Sequence, residues 1–258
     1  MKTLVFDLDG TMYRGTAVIE SAKIFLEACM EHQVPFLFLT NNSMRTRQQN
    51  VDHMYAMGYT NLTSSMFYNS AMAACQYAKD HYQAKSAYYI GQDGLNEAMQ
   101  ENGIIFNDVN PEVVFVGLDK KADYMQYSKA LGFLLQGARL IGTNKDHVLA
   151  SPTGFEIGNG SIVKMFEFAS KQESPAIGKP SAWILEACLK HFGLKKEEIV
   201  MIGDNLDTDI LCGVKNGVKT IFVETGVHTR EDIDSHGVYP DIVVHSLIDF
   251  LNDGCYNR

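Results

Sequence analysis

Four polar clusters sit at the C-terminal ends of predicted strands: Asp7-Leu8-Asp9-Gly10-Thr11, Thr40-Asn41-Asn42-Ser43, Gly178-Lys179-Pro180, and Gly203-Asp204-Asn205-Leu206-Asp207-Thr208-Asp209. Asp7 leaves a hydrophobic strand, and Asp9, two residues on, can return to the same side across a turn. Two carboxylates about 4 Å apart repel by about 4 kcal/mol at an effective dielectric of about 20, and Asp204 adds to the crowding. Such a group calls for a cation. All-oxygen ligands with open positions suit Mg²⁺, which keeps several waters and takes one or two carboxylates plus a substrate phosphate. Lys179 supplies a further compact positive charge. The Thr40-Asn41-Asn42 turn offers a hydroxyl and successive backbone N–H groups at the mouth of a helix, a common cradle for a phosphoryl oxygen. A nucleophile, a second acid, a metal and an anion seat together describe phosphoryl transfer through an aspartyl-phosphate.

The elements that must position these groups alternate between short apolar runs and helical patterns, the signature of a parallel sheet flanked by helices. Thr3–Phe6, Val34–Leu39, Ile199–Ile202, Thr220–Val223 and Ile242–Val244 read as strands, and open parallel sheets bind ligands at the C-terminal ends of their strands. Ala22, Phe25, Leu26, Cys29 and Met30 fall on one helical stripe, and a more polar helix runs from Arg45 to about Met57. In the middle of the chain Tyr88–Ile90 and Val113–Val116 read as strands, with helices around Asn69–His81, Leu95–Glu101, Asp123–Gln136 and Ser161–Lys171. The stretch Gly142–Gly160 has little periodicity and reads as an irregular crossing. A helix opened by Pro180-Ser181 carries the stripe Ile184, Leu185, Cys188, Leu189 and Phe192, and Asp207-Thr208 is expected to cap a short helix to about Val214.

Composition narrows the partners. The chain has 258 residues, 22 Lys+Arg and 31 Asp+Glu, a net charge of −9 that disfavours nucleic acid and anionic membranes. Its 258 residues suggest a second domain, and the 46% hydrophobic content supports a real core. The apolar runs fall far below the ~18 residues that span a bilayer. The five cysteines are scattered, without CxxC pairs, and no signal-like segment opens the chain, so a reducing cytoplasm is expected. The eight histidines have no ligand spacing and read as structural or solvated.

The segments FDLDGT, FLTNNS, GKP and GDNLDTDI, in this order and spacing, resemble haloacid-dehalogenase (HAD) superfamily phosphatases, in particular the NagD-like, p-nitrophenyl-phosphatase-like branch. The resemblance implies an α/β fold: a Rossmann-like, doubly wound parallel-sheet core, residues 1–68 and 175–258, with an inserted α/β cap domain of type two, residues 69–174. It implies a Mg²⁺-dependent phosphatase of small phosphomonoesters, a sugar phosphate, nucleotide or aryl phosphate. Its partner would be a small phosphorylated metabolite, with no nucleic acid or membrane, in a monomer or a cap-mediated homodimer. Residue by residue, Asp7 would be the nucleophile and a metal ligand. Asp9 would be the general acid and base, its backbone carbonyl touching the metal. Thr40, Asn41 and Asn42 would hold phosphoryl oxygens, Lys179 would neutralise Asp7 and the transferring group, and Asp204 would complete the metal site. Asp209 would orient Lys179 or a metal water from behind the ligands, whereas Asp207 is explained equally well as an N-cap.

Gly142-Thr143-Asn144-Lys145-Asp146 resembles the family's GTNPD signature, with Lys145 where proline is usual. Asn144 and Asp146 would shape the lip of the cap and Lys145 would alter substrate preference; a solvent-facing turn explains the same composition. Two rival activities share the motifs: a phosphomutase or phosphotransferase using the same aspartyl-phosphate, and a non-catalytic metabolite-binding regulator, for which Asp9 would be superfluous.

Overall fold

The structure, a computed structural model, describes residues 2–151 and 154–252, so Cys255 lies outside the described residues. The chain divides into two compact units. Unit 1 comprises Met1–Thr40, Asn50–Tyr68 and Cys188–Arg258; unit 2 comprises Asn41–Gln49 and Asn69–Ala187. This division differs from the expected 69–174 insertion in placing residues 41–49 and 175–187 with unit 2. The reason for the first is local bonding: Gly94 N–H donates to the Met44 carbonyl (2.9 Å), and Arg47 N–H to Glu97 Oε2 (2.9 Å). For the second, the Trp183 indole N–H donates to the Ala73 carbonyl at 2.8 Å.

Unit 1 is built on a six-stranded sheet in the order Ile242–Val244, Lys219–Val223, Ile199–Gly203, Thr3–Phe6, Phe36–Thr40, Phe67–Asn69. The pairings from Ile242–Val244 across to Phe36–Thr40 are all parallel. Thr3–Phe6 and Ile199–Gly203 are buried along their whole length, which is why they read as continuous apolar runs. Chain order reverses between these two strands, so their carboxyl ends form the crevice where such sheets hold ligands. The strand expected over Val34–Leu39 starts only at Phe36: Pro35 has no N–H to give the ladder, and its carbonyl accepts Leu4 N–H at 2.9 Å instead. Helix Glu20–Glu31 buries Ala22, Phe25, Leu26 and Cys29, as its stripe predicts. Phe25 meets Phe6 edge-on at 6.0 Å, and Phe38 stacks on Phe67 at 4.6 Å, in a core that also takes in Met12, Met54 and Ile202. The turn-rich segment after the first strand contains a short hairpin, Tyr13–Arg14 with Ala17–Val18, too brief for alternation to reveal.

Unit 2 carries a four-stranded parallel sheet in the order Ile105–Phe106, Ser86–Ile90, Val113–Val116, Arg139–Gly142. Asn69 caps helix Ser70–Tyr82 by accepting Met72 N–H at 2.9 Å, and Asp123 with Gln126 forms a reciprocal capping box on Tyr124–Leu135. Ala130, Phe133 and Leu134 pack from that helix into a core with Tyr88, Val114, Leu140, Val163 and Phe166. The expectation of an irregular crossing over Gly142–Gly160 is corrected: Val148–Ser151 pairs antiparallel with Gly154–Ile157. Val148, Phe155 and Ile157 of this hairpin are exposed, so no one-sided burial imposed the alternation that sequence reading depends on. The described cysteines Cys29, Cys75, Cys188 and Cys212 are buried. Among the described residues no helix is long and apolar enough to cross a membrane.

The frame of unit 2 includes a buried carboxylate. Glu167 accepts Ser174 N–H at 3.0 Å, pairs with the Lys164 ammonium, and lies 3.6 Å from Lys145 Nζ, which itself donates to the Ser174 carbonyl at 3.0 Å. Burial alone would raise the Glu167 pKa; Lys164, the Ser174 N–H and Lys145 outweigh it and hold the group below the usual carboxylate range. With a lowered folded-state pKa, the unfolded chain takes up the proton first, so this contribution is full above the unfolded value of about 4.3 and disappears as pH falls through the folded one. The difference in Tm between the native chain and Glu167→Gln is therefore expected to be largest near neutral pH and to shrink below about pH 4.3, followed by the emission of Trp183, the chain's one tryptophan. A difference constant across that range would show that Glu167 is not a charge-stabilised group.

Candidate active site

Asp7 follows the last paired residue of its strand. Phe6 stands beside Ile202 in the parallel register, and Asp7 N–H donates to the Ile202 carbonyl at 2.9 Å, so Asp7 and Asp204 emerge together from adjacent strand ends. Helical winding after Asp204 returns Asp209 to the same place. One carboxylate oxygen from each of Asp7, Asp204 and Asp209 lies within 4.8 Å of the others, and all three residues are buried. The expected set of side chains is thereby redrawn in one respect: the Asp209 carboxylate joins the group directly, while the Asp9 side chain is exposed, with Asp9 bridged to Tyr13 through the backbone.

Asp204 is the most enclosed of these groups. Its Oδ1 accepts the Thr11 hydroxyl at 2.9 Å and its Oδ2 accepts Val227 N–H at 2.8 Å. Burial first, and the Asp209 charge second, raise its pKa well above the usual carboxylate range, against the lowering effect of those two bonds. Three carboxylates in one buried group, one of them pressed toward protonation, form a donor set for a hard divalent cation, and oxygen-only ligation fits Mg²⁺. Backbone crowds so close that side chains are excluded: a Cβ on Gly10 would fall 2.2 Å from Asp204 Oδ2, and one on Gly226 would fall 1.8 Å from it.

Thr11 lies in a cluster visible in the sequence, but spacing alone does not show that its hydroxyl serves Asp204. The Thr225-Gly226-Val227 turn was missed altogether, although Thr225 Oγ1 also donates to the Gly10 carbonyl at 2.8 Å. The signal that could have found it was available. This polar, glycine-containing turn follows the strand Lys219–Val223, as the recognised clusters follow theirs.

The remaining predicted residues divide at Thr40, which is buried at the end of its strand in unit 1. Asn41, Asn42, Asn144, Asp146 and Lys179 belong to unit 2. The helix expected at this cluster begins only at Arg47, so its N-terminus does not supply donors at residues 41–42; Asn42 Oδ1 accepts Met44 N–H at 2.9 Å within the intervening turn. Asn41 is a junction. Its Oδ1 accepts Lys179 N–H at 2.7 Å, and its Nδ2 donates to the Lys179 carbonyl at 3.1 Å and to the Asp146 carboxylate at 3.1 and 3.3 Å. Its carbonyl accepts the Ser70 hydroxyl (2.6 Å) and Asn144 Nδ2 (2.8 Å). Lys179 is buried, and its backbone is fixed by this amide. Asn144 and Asp146 thus meet Asn41, while the Lys145 side chain between them turns to Ser174 and Glu167. Asp207 is not the cap of the helix that follows; Asn205 Oδ1 accepts Asp207 N–H at 2.9 Å and fills that role, ahead of a wider-wound turn Leu206–Ile210.

Residues 4–105 match the model of the haloacid dehalogenase-like hydrolases, and residues 176–250 match a second, HAD-hydrolase-like model. The chain is 34% identical over 250 residues to the 5′-nucleotidase YutF of Bacillus subtilis, covering 97% of each. It is 36% identical over 237 residues to an acid sugar phosphatase of Staphylococcus epidermidis, covering 92% of this chain and 91% of that one. The solved p-nitrophenyl phosphatase from Archaeoglobus fulgidus superposes with a TM-score of 0.90 at 27% identity over 98% of both chains. The chain belongs to the haloacid dehalogenase-like hydrolase family, in its NagD-like, p-nitrophenyl-phosphatase-like branch.

Proposed function

We propose that the protein is a Mg²⁺-dependent phosphatase of small phosphomonoesters that works through an aspartyl-phosphate on Asp7. The observation that carries this is the buried Asp7–Asp204–Asp209 group at the reversal point of a parallel sheet, with an exposed carboxylate, Asp9, two residues from the first member. The names of the relatives, a 5′-nucleotidase, an acid sugar phosphatase and a p-nitrophenyl phosphatase, support a small phosphate ester as substrate. Residues 69–174 are read as the family's inserted cap.

In this reading an Asp7 carboxylate oxygen attacks phosphorus in line and the ester oxygen departs, taking a proton from Asp9. Asp9, now a carboxylate, removes a proton from a water that attacks the same phosphorus; the acyl-phosphate bond breaks, phosphate leaves, and Asp7 is regenerated. Asp7 and Asp204, with the Asp9 carbonyl implied by the family and the Asp209 carboxylate in the same group, would hold Mg²⁺. When bound, that ion supplies charge neutralisation for the carboxylates and the phosphoryl oxygens. The family resemblance assigns Thr40 and the 41–42 turn to the phosphoryl oxygens and Lys179 to neutralising the transferring group. Asn41 serves through the Lys179 backbone, because its amide is committed there and to Asp146.

Phosphate release over a panel of nucleotide, sugar and aryl phosphates tests the assignment. It should require Mg²⁺, stop with EDTA, vanish in Asp7→Asn, and fall by about 10²–10⁴-fold in Asp9→Asn. Release that survives both EDTA and Asp7→Asn would reject the mechanism, and phosphate delivered to a sugar instead of water would select the phosphotransferase. Asn41→Ala removes the acceptor of the buried Lys179 N–H and a donor to its carbonyl, and should lower unfolding free energy by about 1–3 kcal/mol in urea titrations, with kcat reduced. Unchanged stability would remove Asn41 from that junction.

A further inference from the structure

We infer that Asp207, His228 and His236 form a second metal site, for a borderline divalent transition ion such as Zn²⁺, separate from the carboxylate group. All three lie in unit 1, and one ligand atom from each falls within 4.8 Å of the others. A carboxylate and two imidazoles suit Zn²⁺, Co²⁺ or Ni²⁺, whereas Mg²⁺ prefers oxygen throughout. Three protein ligands leave a further position to water, the arrangement of an open zinc site.

Existing hydrogen bonds mark where the lone pairs point. His236 Nδ1 and Asp207 Oδ1 are 2.8 Å apart, so a proton now holds the place between two ligand atoms. Leu206 N–H donates to His228 Nδ1 at 3.1 Å, making that nitrogen an acceptor. The two rings stand 4.5 Å apart between centroids, inclined at 58°. One lone pair cannot serve Leu206 N–H and a metal together, so coordination through His228 Nδ1 requires the ring to turn from Leu206, while the other ring nitrogen keeps its proton. No backbone segment has to be created for this. Asn205 fixes Asp207 through its N–H, and the Thr229 N–H and hydroxyl, at 2.8 and 3.1 Å from Asp232 Oδ2, close the turn leading from His228 to the helix Ile233–His236. Asp207 is exposed and both histidines are half-buried, which gives an ion a route in.

The two groups share a turn but not a ligand. Asp207 and Asp209 are two residues apart, and residues so spaced on a helical turn do not face each other. Asp209 meets Asp7 and Asp204; Asp207 meets the histidines.

Calorimetric titration of the whole chain with Zn²⁺ in excess Mg²⁺ tests it, with Co²⁺ as a spectroscopic substitute. One Zn²⁺ per chain should bind and persist in Asp7→Asn. Losing even an outer-shell partner of a metal costs about 10–100-fold in affinity, so His236→Ala and Asp207→Asn, each removing a ligand, should weaken binding at least that much. The visible bands of bound Co²⁺ should disappear in the same two variants. Circular dichroism without metal identifies any variant that fails to fold, and His228→Gln then takes its place. No Zn²⁺ bound in excess Mg²⁺, or Zn²⁺ lost in Asp7→Asn but retained in the folded His236 and Asp207 variants, would overturn the site.

Discussion

Mutual repulsion among Asp7, Asp204 and Asp209 is the constraint on which the rest of unit 1 depends. Removing three carboxylates from water and setting them side by side is unfavourable both by desolvation and by like charge. The fold meets this with geometry that is otherwise hard to explain. Two parallel strands end in register, a hydroxyl from Thr11 and an N–H from Val227 occupy both oxygens of Asp204, and glycines at 10 and 226 let backbone approach where any side chain would collide. Apolar packing behind the group, from Phe6, Phe38 and Ile202, keeps the strand ends from separating. Carboxylate oxygens held this firmly in place are preorganised for a cation, and little reorganisation is left for the moment of reaction.

Unit 2 solves a different problem, that of placing a lysine and a turn by backbone alone. The Asn41 amide pairs with both the N–H and the carbonyl of Lys179, as a neighbouring strand would, and so fixes where its side chain begins. Its spare donor reaches Asp146, and its carbonyl gathers Ser70 and Asn144. A short polar residue that stood in the sequence as an anion-binding candidate is, by its contacts, a joint between three chain segments. Lys145 is a joint of the same kind: its ammonium compensates Glu167 and closes on Ser174.

What could be read from the sequence was what repeats or alternates. Continuous apolar runs gave the central strands of both sheets, since strands buried on both faces leave no other pattern, and helical stripes gave Phe25 and Leu134 their inward positions. Pro35 moved a strand boundary because one missing donor outweighs a favourable apolar residue before it. The two strands at Val148–Ser151 and Gly154–Ile157 escaped because the face that carries Val148, Phe155 and Ile157 is exposed, not packed on a core. Of the site, the acids were legible by their position after strands, and their partners were not. Thr11 and Val227 act on Asp204 across 193 and 23 residues of sequence, distances over which only a known fold can bring groups together.

Asp207 and Asp209 carry this lesson furthest. In sequence they are two acids in one polar run, each with a plausible account as a cap, a charge on a helix terminus or a ligand. The winding of the turn Leu206–Ile210 sends one inward and the other out, and neighbours decide the rest: Asp7 and Asp204 for Asp209, two imidazoles for Asp207. Histidines without ligand spacing in the sequence acquire it when His228 and His236 are brought beside a third residue by folding. Spacing along the chain predicts metal sites only when one helix or loop supplies the ligands. Where a turn, a loop and a short helix each supply one, the chemistry is a property of the topology, and one short turn can serve two ions of different character.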